Sequence, residues 1–367
     1  MEVQLRVHWQ GVAVRLPNEQ LRAWESTGDR LAGVWQRVWP AGLTQIADEE
    51  YSVVAARYYG VGQPDCKQLV GNGIEIEGSM QAAGGRRVLD PSGAVLTTVQ
   101  GKGHTKMHDE ILTALQGALE WVGVEVQLEV RGVFVAAAQQ HRISLDGPAW
   151  QWARPDMRVR FPGGGWEYFE LKTCTLADSH YPATRARRDE RGVAARDWGA
   201  EGRARKEQRA YDGDGRHGLG GGKARAQDVE LGWMGPGAGP FQRKWQEIGG
   251  IKVLAVGAFA EVSRSLHELL ARAADVGAVR LWRRHGCRSE KEAKSLVSTK
   301  LTARLGTAFV RAQAKLFKDR LHLAEPGGAQ RARDRAARDD YTAHLADLYD
   351  HRMLTDWYNR SQHWRGE

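Results

Sequence analysis

Cysteine is scarce in this sequence, with three among 367 residues. Cys66, Cys174 and Cys287 lie too far apart along the chain to make a zinc site or a disulfide framework, which predicts a reducing compartment. Long hydrophobic runs are missing as well. The longest, Val253 to Ala260, has only the length of a strand, so no bilayer-spanning helix and no membrane partner are expected. The opening residues, MEVQLRVHWQ, carry neither an apolar core nor a cleavage site, and export by a signal peptide is not expected. No internal repeat occurs. What is present is positive charge: a formal net charge of +8 and a pI near 9.4. That balance favours polyanions, nucleic acid first, although charge alone does not separate nucleic acid from an anionic membrane surface.

A chemistry can be argued from Arg154 to Thr173, RPDMRVRFPGGGWEYFELKT. Two runs of strand-forming residues, Met157 to Phe161 and Trp166 to Leu171, flank Pro162-Gly163-Gly164-Gly165. One residue of fixed φ followed by three free to turn predicts a hairpin. Asp156 enters the first strand while Glu170 and Lys172 leave the second, so antiparallel pairing brings the three to one edge. Alternation sets Glu170 and Lys172 on one face and turns Leu171 to the other. Two carboxylates at such an edge suit Mg²⁺ or Mn²⁺, hard cations that take oxygen ligands and keep positions for water and phosphate. The Leu171 carbonyl is a candidate further ligand. Lys172, a mobile point charge beside them, would orient or deprotonate an attacking water, or stabilise charge developing on phosphorus. In a chain with 27% charged residues, a Glu-x-Lys at a strand end is equally the pattern of an exposed ion pair.

The surrounding pattern supplies the frame. Val3 to Trp9 alternates as a short strand, and Leu21, Trp24, Leu31, Val34, Trp35 and Val38 recur near helical spacing until Pro40. Asp48 to Tyr59 reads as a helix with an acidic first turn. Residues 61–101 read as loop with short strands at Gly73 to Glu77 and Ala94 to Val99. A helix follows from Gly103 to Trp121, with Met107, Ile111, Leu115, Ala118 and Val122 on its buried face. At about 100° per residue His104 and His108 share that face, while Glu110 points largely away. These histidines are candidates for a substrate-phosphate contact or a supporting hydrogen bond. The alternative is two boundary histidines with satisfied nitrogens.

Val124 to Val135 alternates as a strand, and a polar connector, 139–152, leads to the hairpin. Trp150 and Trp152 read as covers for the sheet edge, with base stacking as the alternative. Ala183 to Tyr211 is helical in composition, and between Arg185 and Arg225 there are twelve Lys/Arg against seven Asp/Glu. Arg154, Arg185 and Arg188 are the candidate phosphate contacts, with Arg196, Arg203 and Lys206 along the same track; a solvated helix face is the plainer account. Residues 212–240 read as a glycine-rich linker. Its Gly-Leu-Gly-Gly-Gly-Lys string is no phosphate loop, since no strand precedes it and no Ser or Thr follows Lys223. Ile251 to Phe259 reads as a strand covered on both faces. Helices follow at Ser263 to Arg284, Ser289 to Leu305 with a Ser-x-x-Glu cap, and Gly306 to Leu323. Pro326-Gly327-Gly328 breaks the run before a last amphipathic segment, Tyr341 to Trp357.

The pair Pro155-Asp156 and Glu170-Leu171-Lys172 resembles the motif of the PD-(D/E)xK nuclease superfamily. The resemblance implies an α/β (α+β) fold with a restriction-endonuclease-like αβββαβ core, Asp156 and Glu170 as ligands of Mg²⁺ (or Mn²⁺), and Lys172 as the base or orienter of water. It divides the chain into an N-terminal helical and loop region (1–101), the core (102–260), a helical extension (261–325) and a C-terminal linker and helix (326–367). The succession DEEYSVVAARYYGV, GHTKMHDEI, VEVQLEVRGVF, RPD, VGAFAEVSRSLHELL and GCRSEKEAKS is further similar to the domain trailing the reverse transcriptase in some algal and protist retroelement proteins. Such relatives often carry a Cys/His knuckle ahead of the helix, where this chain has Cys66 alone. The expected activity is phosphodiester hydrolysis by an endonuclease, with DNA favoured over RNA and the nucleus over the cytoplasm. Rival expectations are a non-catalytic nucleic-acid-binding or assembly protein on the same fold, and a helical interaction scaffold.

Overall fold

Strands form where β-branched and aromatic residues gather, and helices fill the intervals between them. A computed structural model describes residues 23, 26, 29–37, 41–74, 88–99, 102–145, 153–176, 180–181, 198–213, 222–235, 237–327 and 330–331. It contains a four-stranded mixed sheet in the order β1-β2-β3-β4, with β1 Glu125–Leu128, β2 Met157–Arg160, β3 Trp166–Thr173 and β4 Ile251–Val256. β1 and β2 pair antiparallel, β2 and β3 antiparallel, and β3 and β4 parallel. The helices are α1 Asp48–Tyr59, α2 Ala94–Thr98, α3 Lys102–Val122, α4 Val135–Gln140, α5 Gly199–Asp212, α6 Gly222–Glu230, α7 Pro240–Glu247, α8 Arg264–Leu281 and α9 Glu290–Arg320. No helix among the described residues is long and apolar enough to cross a membrane.

Alternation along the strands divides the core in two. Met157, Val159, Phe169, Leu171, Leu254 and Val256 face α3, α8 and α9 in the larger cluster, where Ile111 and Leu115 of α3 are fully buried. Side chains of this size each stabilise the fold by about 1.5–3 kcal/mol when fully buried. Ile251, Val253 and Ala255 face the other way, into a second cluster with Ala200, Ala204 and Tyr211 of α5 and Phe241 and Trp245 of α7. α5 lies over β4 and β3. On the same face the β1–β2 half of the sheet presents exposed Glu125, Gln127 and Arg160.

The outer side of β4 is capped by side chains. Gln208 on α5 accepts from the Val253 N–H at 2.8 Å and donates to the Ile251 carbonyl at 3.1 Å. Ser263 accepts from the Ala255 N–H at 3.0 Å, and Ser265 donates to the Val253 carbonyl at 2.5 Å. These bonds satisfy groups that a further strand would otherwise take.

Several sequence expectations are corrected. Ala94 to Val99 is a helix through Thr98, not a strand, because the Asp90 carboxylate accepts from the N–H groups of Ser92, Ala94 and Val95 and caps its start. The strand expected from Val124 to Val135 ends at Leu128, since Glu129 takes a left-handed φ of 47°, and Val135, the last residue of the expected strand, opens α4, which runs into the expected polar connector. The supposed linker 212–240 holds α6, packed on α5 and α7. β4 stops at Val256 rather than Phe259, where the chain turns through Ala260 at φ 62°. Residues 29–37 are a turn and a 3₁₀ segment rather than a regular helix, although Leu31, Val34 and Trp35 are buried. The expected strand at Gly73 to Glu77 is reduced, within the described residues, to a bridge between Gly73 and Val88.

The helices expected on either side of Gly306 are one. A Cβ at Gly306 would stand 2.3 Å from Val34 Cγ1 and 2.4 Å from the Leu31 carbonyl oxygen, so this glycine permits close packing instead of ending α9. Ser289 caps that helix as its pattern predicts, accepting from the Glu292 N–H at 3.2 Å while the Glu292 side chain accepts from the Arg288 N–H at 2.8 Å. The expectations for Val3 to Trp9, Leu21, Trp24, Val38, Pro40, Trp150, Trp152, Arg185, Arg188, Arg196 and Tyr341 to Trp357 fall outside the described residues.

Candidate active site at the start of β2

The register of the hairpin brings the carboxylates together. Met157 pairs with Phe169, so the next position outward sets Asp156 opposite Glu170. The chain there is held from both sides: Asp156 Oδ2 accepts from the Leu171 N–H at 2.7 Å, and the Asp156 carbonyl accepts from the Glu129 N–H at 2.7 Å. Lys172 reaches back along β3 to place its ammonium 2.5 Å from Glu170 Oε1. The three residues expected at one edge therefore share it, and Leu171 points into the larger core as expected.

Glu170 is only 6% exposed, beneath α5, and its Oε2 has no hydrogen-bond partner. Burial pushes its carboxyl up, to about 7, with the Asp156 charge adding to the shift and Lys172 and Lys223 opposing it. Tyr211 of α5 is fully buried nearby, its hydroxyl within reach of the Glu170 carboxylate but without a well-formed hydrogen bond; burial, then the charges of Glu170, Asp156 and Glu207 and the contact with Glu170, raise its pKa. Lys223, from the start of α6, lies 3.9 Å from the centroid of the Tyr211 ring and 3.7 Å from Glu207 Oε2. Burial lowers its pKa against the pull of Glu207. Tyr211, Lys223 and Glu207 thus surround the carboxylates, and sequence reasoning missed all three as site residues. The signal nearest to them was Lys223 in its glycine-rich string, set aside as a phosphate loop.

Of the two histidines on α3, one joins the site. His108 Nε2 lies 3.3 Å from Asp156 Oδ2 and Nδ1 lies 3.2 Å from Asp109 Oδ1. Burial lowers its pKa, but the hydrogen bond and charge of Asp156, reinforced by Asp109, outweigh that and raise it to about 9. His104 turns elsewhere, to the Thr97 carbonyl at 2.8 Å and beside Arg320, where burial and the Arg320 charge lower its pKa. Glu110, on another side of the helix, pairs with Lys315 at 3.2 Å. Arg154 donates to the Leu145 carbonyl at 2.7 Å. Arg203 pairs with Glu207 at 3.0 Å.

The donor set is one of hard oxygens: Asp156 Oδ1, the orphaned Glu170 Oε2 and the neighbouring main-chain carbonyls, which suits Mg²⁺ or Mn²⁺ better than a thiolate-seeking ion, while Asp156 Oδ2 is held by Leu171 N–H and His108. Among the described residues no group of three or more His, Cys, Asp and Glu side chains is arranged to hold a metal ion. A two-carboxylate site does not require one. Comparison with protein-family models, with curated proteins and with solved structures gave no match.

Proposed function

We propose that this chain is a metal-dependent endonuclease of nucleic acid, DNA before RNA, with a PD-(D/E)xK-type site on a restriction-endonuclease-like core, and that it descends from a retroelement module. The observation that carries the proposal is the buried, unpartnered Glu170 Oε2 opposite Asp156 with the Lys172 ammonium beside it. An orphaned carboxylate oxygen in a largely buried position carries a desolvation cost that a divalent cation would offset. Asp156 and Glu170 would hold Mg²⁺ or Mn²⁺, which supplies Lewis acidity toward the scissile phosphate. Lys172 would exchange part of its bond to Glu170 for a water or a phosphate oxygen, orienting the nucleophile and offsetting charge in the transition state. His108, whose Nε2 lies 3.3 Å from Asp156 Oδ2, keeps the Asp156 carboxylate in place.

A second reading, a nucleic-acid-binding protein without chemistry, draws on the same contacts. One oxygen of Asp156 is already taken by the Leu171 N–H and one oxygen of Glu170 by Lys172. The two readings separate in a cleavage assay on DNA and RNA with Mg²⁺ or Mn²⁺. The endonuclease predicts cleavage abolished in both Asp156→Ala and Lys172→Ala. A folded wild type that binds nucleic acid without cutting it would establish the second reading.

A further inference from the structure

Next to the proposed site, one face of the hairpin carries an ordered row of cations and aromatics. Directly opposed residues lie on one face of an antiparallel pair. On the face of Asp156 and Glu170, Arg158 therefore stands opposite Tyr168 and Arg160 opposite Trp166, with Gln127 and Glu125 beside them on β1. α5 packs on β4 and β3, toward the far side of this face, whereas Glu125, Gln127 and Arg160 are exposed. Both guanidiniums lie over the same indole, Arg158 at 4.2 Å and Arg160 at 5.0 Å from the centroid of Trp166. Such contacts fix the direction of an arginine without consuming its N–H donors.

The polar contacts of these arginines are exchangeable. Arg158 gives its Nε–H to Gln127 Oε1 at 2.8 Å, the sole hydrogen bond of its side chain among the described residues. Arg160 pairs with Glu125, but both side chains are about half exposed, at 48% and 51%, and a pair of that kind contributes little and yields readily to a phosphate. Asp156, Arg158 and Arg160 follow one another at about 7 Å along the strand. That interval matches about two stacked nucleotide rises of 3.4 Å.

We infer that this β1–β2 face is a single-strand nucleic-acid track, in which Arg158 and Arg160 hold phosphates two apart and the Trp166–arginine stack receives a base, leading the strand to the carboxylates. The inference rests on the nuclease reading for the direction of the track, though not for binding itself. A single strand is specified because stacking on an indole or a guanidinium plane needs an exposed base face, which a duplex hides. Deoxyribose and ribose strands share this chemistry.

The test is a set of anisotropy titrations in EDTA with short oligo(dT), short oligo(U) and a duplex of equal length, using wild type, Arg158→Ala/Arg160→Ala, Arg158→Lys/Arg160→Lys and Trp166→Ala. The double alanine variant should weaken single-strand binding about tenfold or more and lower the magnitude of the log–log salt slope by about 1.4, or about 0.7 per phosphate lost. The lysine pair should restore the slope, and Trp166→Ala should cost about 5- to 150-fold. Preference between oligo(dT) and oligo(U) identifies the natural sugar, and either supports the track. Unchanged binding by the double alanine variant overturns it, as does wild type that binds the duplex as tightly as the single strand, or binds neither. A salt slope that the lysine pair fails to restore would mark damage to the hairpin and overturn it too. Intact binding in EDTA without Mg²⁺-dependent cleavage would sink the nuclease reading and leave the track standing.

Discussion

Removing Asp156 should be visible at His108 before any activity is measured. The imidazole sits 3.3 Å from Asp156 and 3.2 Å from Asp109, and its side chain is 23% exposed. Burial alone would drive it neutral; Asp156 first and Asp109 second reverse this and raise its pKa from 6.5 to about 9. At about 1.36 kcal/mol per pH unit, the displacement corresponds to about 3 kcal/mol in favour of the imidazolium. Because the folded value lies above the unfolded one, this stabilisation is fully present below pH 6.5 and is lost as pH rises through about 9. Asp156→Ala leaves the burial and only Asp109, whose side chain is 63% exposed and screened by water. His108 should then titrate at or below 6.5, and the decline of Tm between pH 6.5 and 9 should flatten. The assay is an NMR titration of the histidine ring signals in EDTA. There are twelve histidines, so the signal is assigned by its loss in His108→Gln. A His108 that titrates at or below 6.5 in folded wild type, or that ignores Asp156→Ala, would refute the contact and with it the link between α3 and the site.

Three further outcomes are expected. Because the Glu170 carboxyl stands at about 7 even beside Lys172, Lys172→Met should cost little below about pH 6, where Glu170 is protonated, and progressively more as pH rises above about 7 in urea melts, the pH dependence vanishing in Glu170→Gln/Lys172→Met; a cost that does not grow with pH would mean that the pair is solvated. Gly306→Ala should lower stability by about 1–3 kcal/mol through overpacking, whereas Gly117→Ala, where a Cβ meets nothing within 4 Å, should be neutral or stabilising by up to about 1 kcal/mol. Equal effects at the two glycines would argue against the contact of α9 with Leu31. Titration with a thiol reagent should modify Cys287 first, because Cys66 and Cys174 are fully buried and burial raises both thiols, Cys66 to about 11. Fast reaction at Cys66 in the native protein would contradict its burial.

The parts of the site that the sequence made legible are those set by local periodicity. Proline and glycine marked the hairpin, alternation put Glu170 and Lys172 on one face, and the 3.6-residue period put His108 on the buried side of α3. What stayed hidden depends on tertiary placement. His104 and His108 share a helix face, yet His104 stands one turn earlier, where the Thr97 carbonyl and Arg320 are its neighbours. Tyr211 and Lys223 reach the carboxylates only because α5 folds back over β3 and β4 and α6 packs on α5, and no spacing in the sequence encodes that return. Arg158, Arg160 and Trp166 were written inside the motif itself, but their alignment emerges only once the register is known. Local rules also misled: Ala94 to Val99 has strand composition, and the Asp90 cap overrides it. Gly306 has the look of a helix break and is a packing contact.

The closure of β4 bears on how safely this chain folds. Ile251–Val256, IKVLAV, combines high β propensity, one charge and no proline, the composition of an aggregation-prone segment. Of its guards, Ser263 and Ser265 follow it closely, whereas Gln208 precedes it by more than forty residues and sits across the glycine-rich stretch from it. A nascent chain, or one nicked between α5 and α6, would present this strand with its ladder open. Templated addition of a second chain is then the competing reaction, and docking of α5 is the step that ends the exposure. The helix whose Tyr211 closes over the carboxylates is the same helix that keeps the sheet from recruiting copies of itself.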